Sequence, residues 1–561
     1  MPFQQAHYQK LLFTLCCAMV IGACGGLATH AFRELLTLLS NLLFGHVDSP
    51  VRTASELSTA SRILIPTLGG MLAGYILQAI RQPSGTPVDY MEAVTLGNGH
   101  LPARHSLLRA ASSACSIASG SAIGREASMI QLAALTGSGL VNLLKLGIPQ
   151  KRLLVACGAA AGITAAYNTP IAAALFVSEI VLKSIAIESL APLVLAAATA
   201  QLVSRPFLGT SAIYHIPPIH DIARIDWYWF LLTGIVAGLC APVFLWLMTQ
   251  SKRLFGQLNA ALWVKLGLGG LIVGGLSVIQ PEVWGNGYET VDHLLKHNWT
   301  ISVLIAVLIC KSLATAAATG SGAIGGIFTP SLFVGAVIGG VIAHLAHGFF
   351  PYLPETPLWI IVGMGAFLGA TTHAPLMAIL MLFEMTQAPL AIVPLMLATI
   401  SAYMITRALG GASVYAKALP DSTPETSPVA RLLRSDAPYI TYPPQRQHAD
   451  ALFQQYRWPH VYVTDADHRF LGAISLHDFR QYLQQAEAQQ DAGTLPDQLI
   501  KMDYPRIQVH QSVETSLQVF ITHQGERLPA IGSDGLLAGY VTKNDLLKLL
   551  GSRWSNAPDA S

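Results

Sequence analysis

The chain has 561 residues, of which 52% are hydrophobic and 11% charged, with a net charge of +2 and a mean hydropathy of +0.48. Such sparse charge cannot cover a soluble surface of this size, and without a basic run it gives no reason to expect a nucleic-acid partner. The charges are also uneven: 35 of 64 fall in the first 415 residues and 29 in the last 146, so a membrane domain is expected to end near Tyr415 and a soluble one to follow.

Apolar segments in the first half fall at about 9–46, 61–81, 103–120, 126–146, 152–167, 170–186 and 188–204. The first contains a stretch, Leu11 to Gly26, that resembles a signal h-region. Only Lys10 directly precedes it, however, and the apolar pattern runs past Cys24 to Phe32, which predicts a retained first span. The second half gives segments at 227–250, 262–280, 301–319, 328–350, 357–372, 374–387 and 390–410. A simple span needs about 20 residues. Several of these are shorter and broken by Gly, Pro or Asn, as in helices that stop midway and line a cavity. All seven cysteines lie in this part without metal-ligand spacing and read as buried free thiols.

The two halves resemble each other. Gly158 to Glu179 aligns with Gly363 to Glu384 at a constant offset of 205, matching at Gly158/Gly363, Ala161/Ala366, Pro170/Pro375, Leu175/Leu380 and Glu179/Glu384. Ala122-Ile-Gly124 aligns with Ala323-Ile-Gly325 at an offset of 201. Two matches in the same order predict homologous halves, about 1–205 and 225–415; the sequence leaves their relative direction open.

Glu126 sits in the middle of Ser119-Gly-Ser-Ala-Ile-Gly-Arg-Glu-Ala-Ser-Met-Ile-Gln131. A carboxylate at that depth is expensive and by default faces a pathway or a partner. Gly124-Arg-Glu126 and Gly325-Gly-Ile-Phe-Thr-Pro330 each place flexible backbone just before an apolar helix. Two helix N-termini facing one another would hold a dehydrated anion with partial charges and free N–H groups. For the glycines alone, close helix packing explains as much, and for Arg125 so does snorkelling.

These residues, taken together, resemble the CLC family of chloride channels and chloride/proton exchangers. Ser84-Gly-Thr-Pro87 is similar to its first anion-binding motif, and Gly124-Arg-Glu-Ala-Ser128 to its gate motif. Gly326-Ile-Phe-Thr-Pro330 matches Gly-x-Phe-x-Pro, and Gly410-Gly-Ala-Ser-Val-Tyr415 is similar to the segment carrying the pore tyrosine. The gate-motif variant, with Asp89-Tyr-Met-Glu-Ala93 upstream, looks closest to the bacterial ClcB-type branch. The resemblance implies an all-α polytopic membrane protein of two inverted repeats with broken and re-entrant helices, forming homodimers in the lipid bilayer. It implies chloride, or a similar anion, between the hydroxyls of Ser84 and Tyr415 and the backbone N–H groups of Ile327 and Phe328, with Glu126 as the gate. Tyr415 also fits a helix-end tyrosine at an interface, and Ser84 a helix cap.

The departures bear on mechanism. Pro83 opens the first motif, Thr86 stands where the family has Ile, and Ala127-Ser128 replace Gly-Pro. Exchangers of the family carry two successive glutamates after the stretch like Asn168-Thr-Pro170; here those positions are Glu179 and Ile180. An isoleucine relays no proton. Glu179 is a substitute in principle, but its mate Glu384 favours a structural, helix-to-helix role for both.

Residues 416–436 are rich in Pro, Ser and Thr and read as a linker. Two similar units follow within 437–554, at about 437–488 and 499–552. The first has Gly472-Ala-Ile-Ser475-Leu-His-Asp478 and the second Gly539-Tyr-Val-Thr542-Lys-Asn-Asp545. This resembles a tandem CBS pair, a small α/β domain, with an adenosine nucleotide as candidate ligand of Ser475, Asp478, Thr542 and Asp545. The same pattern caps the following helix, which explains it without a ligand. No other cofactor or metal is implied, and no nucleophile–base pair suggests an enzyme.

The expected function is passive or weakly coupled chloride transport gated by Glu126, in a bacterial inner membrane with the CBS pair cytoplasmic. Lys252, Arg253, Arg407 and Lys417 near span ends fit that orientation. The alternatives are chloride/proton antiport and, from another class, a membrane-anchored CBS nucleotide sensor.

Overall fold

The computed structural model describes residues 2–45, 49–79, 89–95, 98–144, 146–209, 212–214, 216, 226–349, 356–415, 429–434, 437–456, 458–486, 493–509, 511, 513–523, 525–532 and 535–547. Their contacts define two compact units, Met1–Leu419 and Pro420–Ser561.

The first unit is helical. Its first half holds α1 (Pro2–Phe44), α2 (Pro50–Glu56), α3 (Thr59–Gln78), α4 (Tyr90–Thr95) and α5 (Ala103–Ala118). These lead into α6 (Glu126–Leu143), α7 (Ile148–Tyr167), α8 (Pro170–Phe176), a π-helical turn Val177–Val181, and α9 (Ile187–Leu208). The second half holds α10 (Asp226–Gln257), α11 (Leu262–Ile279), α12 (Tyr288–Lys296), α13 (Ile301–Ser321), α14 (Phe328–Phe349), α15 (Thr356–Thr372), α16 (Pro375–Thr386) and α17 (Ile392–Ala408). Among the described residues, eight helices are long and apolar enough to cross a membrane, while α15, α16 and α8 with its π turn are apolar but short.

The outside of this unit is apolar: Leu42, Leu68, Leu202 and Val243 are all exposed. Hydrocarbon is the solvent that such a surface suits. Inside, small residues let backbones touch, which is how helices gain contact when lipid tails remove the hydrophobic drive. A Cβ on Gly270 would stand 2.0 Å from the Pro66 carbonyl oxygen, so α11 lies directly on α3. The α14–α15 pair meets at Gly335 and Gly363, and the α6–α7 pair at Gly158 and Ala133. Of the cysteines, all free, Cys17, Cys157 and Cys310 are buried. Cys16 and Cys24 instead face outward from α1, because a span in lipid has no need to hide a small apolar side chain.

The halves repeat one another in contacts as well as sequence. Helix α1 packs on α7 and α9, and α10 packs on α15 and α17. Both halves turn the same corner with a non-glycine residue in the left-handed region, Asn168 at φ 57° and His373 at φ 59°. Asn and His tolerate that region better than most residues. Their relative direction follows from two carboxylates. Glu384, near the end of α16, accepts the N–H groups of Ile171 (3.0 Å) and Ala172 (2.8 Å) at the start of α8. Glu179, just past the end of α8, accepts the N–H of Met377 (3.1 Å) at the start of α16. Each helix thus ends where the other begins. They run antiparallel, and the repeats are inverted.

The second unit repeats a strand–helix–strand–strand pattern. β1 (Tyr439–Thr441), α18 (Arg446–Tyr456), β2 (His460–Thr464), β3 (Phe470–Ser475) and α19 (Leu476–Ala486) are followed by β4 (Ile500–Lys501). β5 (Ile507–Gln508), α20 (Val513–Thr522), β6 (Arg527–Ile531) and β7 (Leu537–Thr542) then repeat the core of it. In each sheet a parallel pair is extended by an antiparallel hairpin, and a register shift recurs at Val463/Thr464 and at Ala530/Ile531. Strand β4 joins the first sheet beside β3, although it follows α19.

Glu384→Ala removes the acceptor of two backbone N–H groups and is expected to lower stability by about 1–3 kcal/mol. Thermal unfolding of the purified protein in detergent checks this; an unchanged melting temperature contradicts it.

Candidate functional site

In the stretch between α5 and α6, Gly120 follows the cap residue Ser119 with a φ of +93° that ends the helix. The stretch runs through Ser121 to Gly124, where the chain meets its counterpart from the other half. Gly124 N–H donates to the Gly326 carbonyl at 2.7 Å, and Gly326 N–H donates back to the Gly124 carbonyl at 2.9 Å. Two residues past each glycine a helix starts, α6 with Glu126 and α14 with Phe328. The bridge therefore sets two helix N-termini side by side, with their free N–H groups and partial positive charge.

Glu126 is 2% exposed. Its Oε1 accepts the Thr329 hydroxyl, and Thr329 in turn is 3.1 Å from the Tyr167 hydroxyl. With Thr329 donating to the carboxylate, Tyr167 donates to Thr329, and the three form one chain of hydrogen bonds. Among the described residues, Oε2 has no hydrogen-bond partner. It occupies space that only glycine leaves open, since a Cβ on Gly124 would stand 1.9 Å from it. Arg125, Tyr214, Tyr288 and Tyr415 are within electrostatic reach of the carboxylate.

A cavity of about 890 Å³ leads to Glu126, and its walls include Tyr167, Ile327, Phe328 and Tyr415. Phe176 joins the aromatic walls, its ring 6.3 Å from that of Phe328 and 5.6 Å from that of Tyr415. Tyr415 is placed by the segment before it: Val414 N–H donates to the Thr371 carbonyl (2.9 Å) and Ser413 Oγ to that of Thr372 (2.7 Å). Arg109, Lys252 and Arg253 also face the cavity and give its wall a positive share.

The structure thus brings together Glu126, Ile327, Phe328 and Tyr415 from three distant stretches of sequence. Ser84 lies outside the described residues. Tyr167 and Thr329 were not anticipated as site residues. Thr329 stands inside the Gly-x-Phe-x-Pro motif, and Tyr167 directly precedes Asn168, so position alone pointed to them. Ile180 is buried next to Glu179, whose carboxylate is occupied by the start of α16.

In the second unit the candidate ligand residues are engaged within the protein. Thr542 Oγ1 accepts the Asp545 N–H at 3.0 Å, a helix cap, and Ser475 Oγ accepts the His477 N–H at 3.2 Å. Asp545 pairs with Arg434 through both carboxylate oxygens (2.9 and 3.1 Å), and Asp478 pairs with Lys501 (2.8 Å). A nucleotide ribose would have to displace both cations. The cations are about half exposed, and such pairs are held weakly.

Inverted halves, interrupted helices and a buried carboxylate set between two helix N-termini at the head of a cavity define a membrane transport protein with a site suited to an anion. Comparison with known proteins agrees. Residues 69–407 match the family model described as voltage gated chloride channel. A ClcB-like chloride channel protein of Ralstonia nicotianae is 47% identical over 419 residues, covering 73% of this chain and 98% of that one. The voltage-gated ClC-type chloride channel ClcB of Escherichia coli K12 is 38% identical over 407 residues, 71% and 96% of the two chains. Among solved structures, a slow cyanobacterial Cl⁻/H⁺ antiporter superposes with a TM-score of 0.65 at 26% identity, covering 72% of this chain and 97% of its own. A eukaryotic CLC transporter shares the fold over 96% of this chain and 98% of its own, with a TM-score of 0.62 at 16% identity. The chain belongs to the CLC family of voltage-gated chloride channels and transporters.

Gly124→Ala places a methyl group where Oε2 now lies and is expected to expel the carboxylate. Its chloride efflux from proteoliposomes should approach that of Glu126→Ala; a wild-type rate and pH response would contradict the placement.

Proposed function

We propose that the protein carries chloride, or a similar monovalent anion, through the cavity under the control of Glu126, without a complete proton relay. The observation that carries the reading is the position of the Glu126 carboxylate, held by Thr329 where the N-termini of α6 and α14 meet. An anion entering from the cavity needs the same donors, so carboxylate and anion exclude each other. Protonation removes the negative charge that holds the side chain there, and it swings aside. Ile327 and Phe328 then offer backbone N–H groups and Tyr415 a hydroxyl, with Ser84 completing the set.

Weak or absent coupling rests on the other end of the route. Ile180 has no titratable atom, and Glu179 serves α16 as an acceptor. Nothing at those two positions hands a proton on. Chloride/proton antiport is the second reading. Two observations favour it: the hydrogen-bonded run Tyr167–Thr329–Glu126 and the similarity to a Cl⁻/H⁺ antiporter.

The setting follows from the same reading: a bacterial inner membrane, a homodimer with a pore in each protomer, and a cytoplasmic tandem CBS pair formed by the second unit. The exposed apolar residues Ile171 and Leu376, beside the reciprocal caps of α8 and α16, suit a partner protomer. An adenosine nucleotide at the CBS pair would regulate transport by taking Asp478 and Asp545 from their cations.

Efflux from proteoliposomes should rise as pH falls, because acid neutralises Glu126. Glu126→Gln should be pH-independent and roughly twofold to thirtyfold faster than wild type at neutral pH, the range a carboxylate contributes at a helix N-terminus. The reversal potential should stay fixed when a pH gradient is applied at constant chloride. A clear shift with pH would establish antiport, and absence of anion flux would favour the nucleotide-sensor class.

A further inference from the structure

Helix α13 carries a lysine at its middle, and Lys311 is fully buried. A cation survives there only when the protein replaces its water. Lys311 Nζ donates to the Val283 carbonyl at 2.9 Å and the Gly285 carbonyl at 2.7 Å, and lies 5.1 Å from the centre of the Phe333 ring. Charge-assisted bonds and the ring face together meet that need. Lys311 does not line the cavity, so the anion path makes no use of it.

The segment it holds rests on the gate loop. Gly285 N–H donates to the Gly120 carbonyl at 3.2 Å. The Trp284 indole fills the side-chain position of Gly120, where a Cβ would stand 1.9 Å from the ring. One turn along α13, on the same face, Thr315 Oγ1 donates to the Ala122 carbonyl at 3.1 Å. Gly120 and Ala122 belong to the short run that ends at Glu126. On the far side, the Phe333 ring leaves no room for a Cβ on Gly287, which would be 2.5 Å away, and α12 begins there with Tyr288.

We propose that Lys311 is a positioning residue for the gate: by pinning Val283–Gly285 it fixes the support against which the loop carrying Glu126 stands. The groups facing that carboxylate are Thr329, Tyr167, Arg125, Tyr214, Tyr288 and Tyr415. Lys311 bonds to none of them and acts through backbone. Thr315 supports the same loop directly. The proposal rests on Glu126 being the gate.

Chloride efflux against pH tests it on the full-length chain in proteoliposomes, with Lys311→Met and Thr315→Val each made with and without Glu126→Gln. Lys311→Met keeps the length of the side chain and leaves two buried carbonyls unpaired. It should displace the pH midpoint by about one unit, the tenfold change that one lost buried hydrogen bond represents. In the Glu126→Gln chain it should leave efflux unchanged. Thr315→Val is near-isosteric and should act in the same way to a smaller extent, and it decides the matter when the Lys311→Met chain does not fold. Equal fractional losses with and without Glu126, at an unmoved midpoint, overturn the proposal. An altered pH response in Glu126→Gln together with no displacement by either support variant overturns it while leaving the gate intact. A Glu126→Gln chain with the wild-type pH response overturns the gate and the proposal together.

Discussion

The reciprocal bridge between Gly124 and Gly326 is the contact on which the site depends. It needs two glycines, because backbone must meet backbone and a carboxylate must lie against one of them. It suits inverted halves, since two residues exchange both N–H···O bonds with each other only in an antiparallel arrangement. Once made, it places the starts of α6 and α14 together. Helix termini supply partial charge and N–H donors without a mobile countercharge, a suitable way to hold an anion that must also leave. A lysine in the same place would hold too firmly. Lys311, buried in α13, has its charge taken up by carbonyls elsewhere.

The same inversion explains Glu179 and Glu384. Each accepts N–H groups at the start of the other's helix, Glu384 those of α8 and Glu179 that of α16. A buried helix end must find acceptors, and the pair meets that demand symmetrically with one residue from each half. Glu179 is therefore already used. Ile180 beside it has no titratable atom.

Much of this was legible in the sequence because its signals are local. Gly124-Arg-Glu126 and Gly326-Ile-Phe-Thr-Pro330 announce interrupted helices by glycine and proline, and the offset of 205 announces the repeat. A structural, helix-to-helix role for the two glutamates followed from their matched positions; that each caps the other's helix did not. Direction of the repeats did not, because a helix reads the same apolar pattern whichever way it crosses. Tyr167 and Thr329 escaped notice as site residues for a related reason: their hydroxyls meet Glu126 only through the crossing of α6, α7 and α14. Lys311 gave a plain signal, one charge within an apolar run, yet its partners lie 26 and 28 residues upstream in a loop. In the second unit the repeat was visible in Gly472 and Gly539, whereas the addition of β4 to the first sheet was not, since two-residue strands carry no periodicity.

The central claim is that the Glu126 carboxylate and the transported anion compete for one place between the N-termini of α6 and α14. Anomalous diffraction from crystals grown in bromide addresses it directly, comparing wild type with Glu126→Gln. The account predicts bromide in the mutant where the wild-type carboxylate lies, within reach of the α6 and α14 N-terminal N–H groups, and no bromide at that position in wild type at neutral pH. Bromide bound there in wild type with the carboxylate still held by Thr329, or no bromide there in the mutant, would contradict it.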